Sequence, residues 1–135
     1  MAATFHLSVI TPTRTLLDEE VTSIVVPGSE GYLGVLAHHA PLIAALAPGK
    51  LTVKTEGGQT HVYALSGGFL EVSNNKAILL ADAMETLEEI DVERAKKAAE
   101  RARKRIDEGG KLWDVPRASE ALNRALNRIH VHGGR

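Results

Sequence analysis

Short runs of alternating apolar and polar residues occupy the first 84 residues and predict β-strands. The first run covers residues 5–10, and Thr11-Pro12 ends it. Similar β-prone runs follow at residues 21–26, 50–54, 61–65, 69–72 and 77–80. Gly57-Gly58 and Asn74-Asn75 separate neighbouring runs and suit tight hairpin turns. Strands this short, with glycine at the turns, indicate an antiparallel sandwich or barrel.

The last third of the chain changes to a helical period. Asp91 is suited to cap the first helix, and Gly109-Gly110 to end it. Asp114 is suited to cap a second helix with Pro116 in its first turn. The apolar stripes are Ala95, Ala98, Ala99, Ala102 and Ile106 in the first helix, and Ala118, Ala121, Leu122, Ala125, Leu126 and Ile129 in the second. The pattern predicts an antiparallel two-helix hairpin, which we expect to be held weakly because alanine buries little apolar area.

The composition changes at about Glu85 and predicts two domains. Most of the 12 glycines lie before that point, where acidic residues outnumber basic ones. After it, basic residues outnumber acidic ones. We therefore expect a β-sandwich domain over residues 1–84 and a helical hairpin domain over residues 85–135.

The overall composition excludes several classes of function. The 135-residue chain has a formal net charge of −1, which argues against nucleic-acid binding through a basic field. It contains no cysteine, so disulfides, thiolate catalysis and cysteine zinc sites are excluded. The longest uncharged run, residues 31–49, is interrupted by prolines and glycines. We therefore expect a soluble protein that reaches a membrane only through a partner.

Four arginines of the helical part form the candidate binding chemistry. Arg94 and Arg101 are seven residues apart and share one helix face, as do Arg124 and Arg128, which are four apart. If the helices are antiparallel, the two pairs could converge on an anion such as phosphate. The alternative is an ordinary solvated helix face, neutralised by neighbouring glutamates.

Catalytic and metal sites are not predicted. No nucleophile has a base at motif spacing, and no phosphate-binding or dinucleotide motif is present. Adjacent His38 and His39 would point to opposite faces of a strand, which disfavours chelation of one metal ion. A small enzyme that uses Glu30 with these histidines is the weakest alternative.

Three segments in the first domain carry a resemblance to a known family. They are residues 28–36 (GSEGYLGVL), 39–42 (HAPL) and 66–72 (SGGFLEV), and a helical hairpin follows them in order. The chain resembles the epsilon subunits of rotary, proton-translocating F-type ATP synthases over nearly its whole length. The resemblance implies a flattened antiparallel β-sandwich of about ten strands followed by two helices. It also implies a non-catalytic subunit that serves in coupling proton flow to ATP synthesis.

The resemblance further implies partners and a location. The sandwich is expected to dock on the gamma subunit and against the c-subunit ring, with Tyr32 and His39 as contact residues. The hairpin is expected either to fold on the sandwich or to extend along gamma toward the catalytic beta subunit, where it restrains ATP hydrolysis. The location implied is peripheral, on the cytoplasmic face of the bacterial plasma membrane.

Some members of this family bind ATP through an I/L-D-x-x-R-A motif, and residues 90–95 (IDVERA) match it. The nucleotide-binding residues implied by the resemblance are Glu85, Ile90, Asp91, Arg94, Ala95, Arg101, Arg124 and Arg128. No cofactor is required, and ATP is expected as a regulatory ligand. On this interpretation Arg94→Ala weakens ATP binding, because a charge-assisted contact to phosphate is lost.

One segment departs from the family pattern. Many members have Pro-Gly before the histidine of the second motif, where this chain has Ala37-His38. The conformation of this loop is therefore not carried over. The competing interpretation of the whole chain is a free-standing β-sandwich binding module with a helical hairpin for oligomerisation.

Overall fold

The computed structural model describes residues 2–133. The chain divides into two compact units, with the boundary between Glu85 and Thr86. The first unit consists of β-strands and the second of two helices. Among residues 2–133, no helix combines the length and the apolar character that a membrane span requires.

Residues 2–133 contain seven strands, and all of their residues except Thr86 belong to the first unit. They are β1 Phe5–Ile10, β2 Thr15–Gly28, β3 Gly31–Leu36, β4 Leu42–Thr55, β5 Thr60–Ser73, β6 Lys76–Ala81 and β7 Met84–Thr86. Hydrogen-bonded neighbours follow the order β1-β6-β5-β4-β2-β3, and β1 also pairs with β2. This additional pairing closes β1, β6, β5, β4 and β2 into a five-stranded barrel, with β3 attached to β2 and β7 to β5.

The expected ten strands were too many, because several turn-forming residues lie inside long strands. Gly67-Gly68 separates two predicted strands, yet both belong to the 14-residue β5. Gly67 has a φ of +111° and Gly68 a φ of +142°, values that glycine adopts readily. Pro48-Gly49 similarly lies within β4. The strands bend through these residues instead of ending there.

The antiparallel prediction is confirmed for the pairings β1–β2, β2–β3, β2–β4, β4–β5 and β5–β6, and it is wrong for β1–β6. β1 runs parallel to β6, with His6 opposite Lys76 and Ile10 opposite Leu80. These two strands are far apart in the sequence, so no hairpin constrains their direction. The β5–β6 hairpin was predicted correctly, since Asn74 and Asn75 form its turn with φ values of 50° and 59°.

The barrel interior is filled by aliphatic side chains, as the 4% aromatic content requires. Phe5, Leu7 and Val9 of β1 are buried, whereas the side chains between them are partly exposed. Leu79 of β6 is buried between outward-facing Ile78 and Leu80. This alternation places one face of each strand in a single core.

The second unit contains α1, Val92–Glu108, and α2, Val115–His132. Both predicted caps are confirmed, because the Asp91 side chain accepts from the Arg94 N–H at 3.0 Å and Asp114 accepts from Arg117 N–H at 3.1 Å. The predicted end of the first helix is confirmed too: Gly109 has a φ of +84° and donates its N–H to the Arg105 carbonyl.

The two helices pack against each other through small residues. The buried positions are Ala95, Ala99 and Ala102 in α1, and Ala118, Ala125 and Val131 in α2. Arg105, at the end of α1, and Arg117, at the start of α2, line one shared cleft. The helices are therefore antiparallel, as predicted.

Candidate anion-binding site

A cleft of about 500 Å³ lies between α1 and α2 and is lined by positively charged side chains from both helices. Four arginines line it: Arg101, Arg105, Arg117 and Arg124. The remaining lining residues are Ala98, Ala102, Ala118, Ala121, Trp113 and Asp114. Because the helix faces between the arginines carry only alanine, the guanidinium groups have room to reach a common ligand.

The end of the cleft nearest the interhelical loop is held by Trp113. Its indole N–H donates to a Glu108 carboxylate oxygen at 2.6 Å. The guanidinium carbon of Arg105 lies 4.5 Å from the centre of the Trp113 ring, a cation–π contact. Asp114 accepts a hydrogen bond from the Arg117 N–H as the cap of α2. These contacts give this end of the cleft a defined arrangement.

The positive charge of the four arginines in the cleft is only partly balanced by acidic side chains. Among residues 2–133, none of the guanidinium groups of Arg101, Arg105, Arg117 and Arg124 lies within ion-pair distance of a carboxylate. Asp114 is the one acidic residue on the described lining. Four like charges around one opening repel each other, so a ligand with several negative charges would be stabilised there.

The structure brings together two of the residues that sequence reasoning assigned to nucleotide binding. Arg101 and Arg124 line the cleft from opposite helices. Arg94 is exposed in the first turn of α1, while Arg128 lies partly buried in α2, and neither is on the lining. The convergence expected of the two pairs is therefore seen for one member of each.

The other residues of the nucleotide prediction have different surroundings. Asp91 caps α1, and Ile90 and Ala95 beside it are buried apolar residues. Glu85 lies in β7, in the first unit. None of these four residues lines the cleft.

Sequence reasoning missed Arg105, Arg117 and Trp113. The signal was present, because Arg105 is four residues after Arg101, and Arg117 is seven residues before Arg124. The spacing rule that paired the predicted arginines applies equally to these two. Trp113 lies in the loop, where no helical period could assign it to the cleft.

The two residues predicted to contact partners lie in the barrel unit. Tyr32, in β3, is 57% exposed, and its hydroxyl accepts from the Lys50 N–H at 3.0 Å. His39 follows β3 in the connection to β4, and its Nδ1 lies 2.6 Å from the Ala40 carbonyl oxygen. His38 beside it has a φ of +62°, in the left-handed region that glycine enters without cost.

The residues of the enzyme alternative are not grouped. Glu30 lies in the turn before β3, while His38 and His39 follow the end of β3. Six strand residues separate them, a distance of about 20 Å. Among residues 2–133, no three side chains of the metal-binding types lie close enough to hold one ion.

Two side chains outside the cleft have shifted pKa values. A hydrogen bond from His6, at the start of the barrel, lowers the pKa of Asp18 below its usual range. Partial burial, with Glu19 nearby, raises the pKa of Tyr63. Both belong to barrel strands, and neither is among the described residues that line the cleft around Glu30.

Comparison with known proteins places both units in one family. The ATP synthase Delta/Epsilon chain beta-sandwich domain matches residues 4–87, and the long alpha-helix domain of the same chain matches residues 88–133. The ATP synthase epsilon chain of Desulforamulus reducens is 46% identical over 129 residues, which are 96% of this chain and 97% of that one. That of Moorella thermoacetica is 46% identical over 131 residues, 97% of this chain and 98% of the other.

A solved structure with a similar fold belongs to the mitochondrial ATP synthase of Euglena gracilis, determined with OSCP, F1 and the c-ring. The TM-score is 0.85 at 31% identity, over 97% of this chain and 82% of the other. A chain from the central stalk and c-ring of the Tetrahymena thermophila mitochondrial ATP synthase has a TM-score of 0.54 at 17% identity. The match covers 66% of this chain and 71% of the other, and it supports the fold alone.

A β-barrel followed by an antiparallel helical hairpin corresponds to the two domains, beta-sandwich and long alpha-helix, of the ATP synthase delta/epsilon chains. The chain belongs to the ATP synthase delta/epsilon chain family, and the relatives it matches nearly end to end are bacterial epsilon chains. It is a non-catalytic subunit of the central stalk of the rotary ATP synthase. The free-standing module is thereby excluded.

Proposed function

We propose that the helical hairpin of this central-stalk subunit binds ATP in its arginine-lined cleft and, through this binding, regulates ATP hydrolysis. The observation that carries the proposal is the set of four arginines without carboxylate partners around one opening. Guanidinium groups bind phosphate oxygens in a bidentate manner, and a triphosphate offers several such oxygens. A volume of about 500 Å³ is within the usual range for a small-molecule site.

The residues proposed for nucleotide binding extend from the cleft to the start of α1. Arg101 and Arg124 are proposed to bind phosphate. Arg94 and Arg128 lie one to two turns further along the same helices and are proposed to reach the ligand when it is bound. Ile90, Asp91 and Ala95 are proposed for nucleotide binding because they belong to the family motif, and Glu85 because the wider resemblance assigns it this role. ATP acts here as a regulatory ligand, and no cofactor is required.

Regulation follows from a difference in affinity between two hairpin conformations. ATP shifts the equilibrium toward the compact hairpin only if it binds that form more tightly than an extended form. The cleft needs both helices, so separation of α1 from α2 would divide its arginines between two surfaces. In the extended form the hairpin is proposed to reach the catalytic beta subunit and to restrain hydrolysis.

The partners proposed for the barrel unit are the gamma subunit and the c-subunit ring. Exposed Tyr32 and the loop that carries His39 are the proposed contact residues. The chain would lie at the cytoplasmic face of the bacterial plasma membrane, attached only through the complex. In that position it would take part in coupling proton flow to ATP synthesis.

Titration of the full chain with ATP tests the nucleotide proposal. The chain contains one tryptophan, Trp113, and it lines the cleft, so its fluorescence is a direct signal, with calorimetry as a second method. We expect Arg101→Ala and Arg124→Ala each to weaken binding by about tenfold, because each removes a charge-assisted contact to phosphate. Arg94→Ala is expected to act in the same direction.

Arg103→Ala is the matched control. Arg103 is an exposed arginine of α1 that does not line the cleft, so its loss changes the net charge equally. We expect Arg103→Ala to bind ATP with an affinity within about twofold of wild type, because salt screens the attraction between an exposed arginine and a ligand outside its reach. Equal affinity of wild type, Arg101→Ala and Arg124→Ala for ATP would refute the site. A third outcome is that ATP does not bind to the wild-type chain, while the arginine substitutions change ATP hydrolysis by the assembled enzyme. The arginines would then contact an acidic surface of another subunit instead of ATP.

A further inference from the structure

The loop between β3 and β4, residues 37–41, carries the proposed contact residue His39. Its ends are fixed by packing, because Ala37 and Leu42 lie partly buried against the barrel core. Between them, His38 adopts a φ of +62°, so the backbone reverses direction where it presents His39. A non-glycine residue in this conformation is strained and depends on surrounding contacts to hold it.

The contact that holds His38 comes from Asn75, in the distant turn between β5 and β6. The His38 N–H donates to Oδ1 of Asn75 at 2.8 Å. Nδ2 of the same amide donates to the carbonyl oxygen of Thr4 at 2.9 Å. The main-chain carbonyl of Asn75 also accepts from the His6 N–H at 3.2 Å. One residue therefore connects the loop, the start of β1 and the β5–β6 turn.

The amide of Asn75 has little freedom to move. Its backbone is held in the left-handed region, with a φ of 59°, by a two-residue turn between paired strands. Its side chain is partly buried and is used as donor and acceptor at the same time. In the described part of the chain, its bond to His38 is the one hydrogen bond from residues 37–41 to another segment.

We propose that Asn75 is a positioning residue for rotor binding: it fixes the 37–41 loop on the barrel so that His39 is presented in one orientation to the c-subunit ring. This inference rests on the proposed function of the loop. A loop held in its binding conformation loses less conformational entropy when it docks, and its affinity is higher for that reason. Asn75 itself need not touch the partner.

Two substitutions at Asn75 separate its hydrogen bonds. Asn75→Gly keeps the left-handed turn and removes both side-chain bonds. Asn75→Asp keeps an acceptor for the His38 N–H and removes the donor to Thr4. Asn74→Gly is the control, since Asn74 is in the same turn with a φ of 50° and is exposed, with no side-chain hydrogen bond in the structure. His39→Ala reports whether the loop contacts the partner at all.

Two measurements on the full chain test the inference. The first is hydrogen exchange of the His38 amide by NMR, compared with the amide of Leu51 in the barrel. The second is affinity for ATP synthase complexes depleted of this subunit. We expect Asn75→Gly to raise His38 exchange by about tenfold relative to Leu51 and to weaken binding by about tenfold. Asn75→Asp and Asn74→Gly should remain within about threefold of wild type in both.

Each contrary result has a distinct meaning. If Asn75→Gly leaves His38 exchange unchanged, or raises His38 and Leu51 exchange equally, Asn75 does not position the loop and the inference is wrong. If His39→Ala weakens binding but Asn75→Gly does not, the loop contact stands and the positioning role fails. If His39→Ala binds as wild type does, the proposed loop contact fails, and the inference fails with it.

Discussion

Gly68, in the middle of β5, faces the backbone of β6 at very close range. A Cβ atom at this position would overlap the carbonyl oxygen of Leu80. The φ of +142° adds a second reason for glycine, because L residues rarely adopt it. The contact involves backbone and not a flexible side chain, so it cannot be relieved without moving β5 away from β6.

Gly68→Ala should therefore destabilise the barrel strongly. We expect a loss of about 3 kcal/mol in the free energy of unfolding, from strain and overlap together. Urea unfolding followed by circular dichroism would measure it. The control is Gly34→Ala in β3, where an added Cβ meets nothing within 4 Å. A loss for Gly68→Ala no larger than for the control would contradict the described pairing of β5 with β6.

His38 stands where the family pattern has glycine, and its contact with Asn75 stabilises the loop in spite of this difference. Glycine would enter the conformation of His38 freely, whereas histidine does so at a cost. The hydrogen bond from the His38 N–H to Asn75 offsets part of that cost. The loop conformation is thus compatible with Ala37-His38 in place of Pro-Gly.

At the start of α1, one residue has both a structural role in the helix and a proposed role in nucleotide binding. Asp91 belongs to the nucleotide motif, and its side chain also caps the helix. Helix caps of this kind contribute about 1 kcal/mol. A loss of ATP affinity on substitution of Asp91 would therefore be ambiguous unless the cap is preserved.

A pair of variants separates the two roles of Asp91. Asp91→Ala should destabilise the first turn of α1 by about 1 kcal/mol, measured by amide exchange at Arg94. Asp91→Ser should restore most of this stability, because serine is also a good cap. If Asp91 binds ATP directly, Asp91→Ser should still weaken binding in calorimetry. Wild-type affinity in Asp91→Ser would assign the residue to capping alone.

The elements differ in how well sequence predicts them. The caps at Asp91 and Asp114 and the turn at Asn74-Asn75 depend on neighbouring residues, so their patterns predicted them correctly. The length of β5 depends on whether the paired strands β4 and β6 continue alongside it past Gly67-Gly68. The residues around these glycines do not contain that information. The predicted strand break at Gly67-Gly68 was wrong for this reason, whereas the predicted turn at Gly57-Gly58 does lie between β4 and β5.

At the scale of the molecule, the two units differ in how their interiors are filled. The barrel core consists mostly of Leu, Val and Ile side chains, together with Phe5 and two alanines. The buried positions of the helices are mostly alanines, which remove little apolar area from water. The barrel is therefore expected to be stable without the hairpin, and the hairpin to be weakly stable alone.

Separate expression of the two units tests this difference. A fragment of residues 1–87 should unfold cooperatively within about 5 °C of the barrel transition in the full chain. A fragment of residues 88–135 should lose most of its helicity at 25 °C, since isolated helices of this length are marginal. Thermal scans by circular dichroism measure both. A hairpin fragment that melts as cooperatively as the barrel would contradict the argument.

The sequence by itself determined the change from strands to helices, the helix caps, the hairpin turn at Asn74-Asn75 and the resemblance to the epsilon family. These depend on periodicity and on short motifs, which act over a few residues. Only the tertiary structure decided the parallel β1–β6 pairing, the positions of Arg105 and Arg117 beside Arg101 and Arg124, and the contact of Asn75 with His38. Each of these joins elements that lie apart in the chain, so its energy depends on packing that no local pattern records.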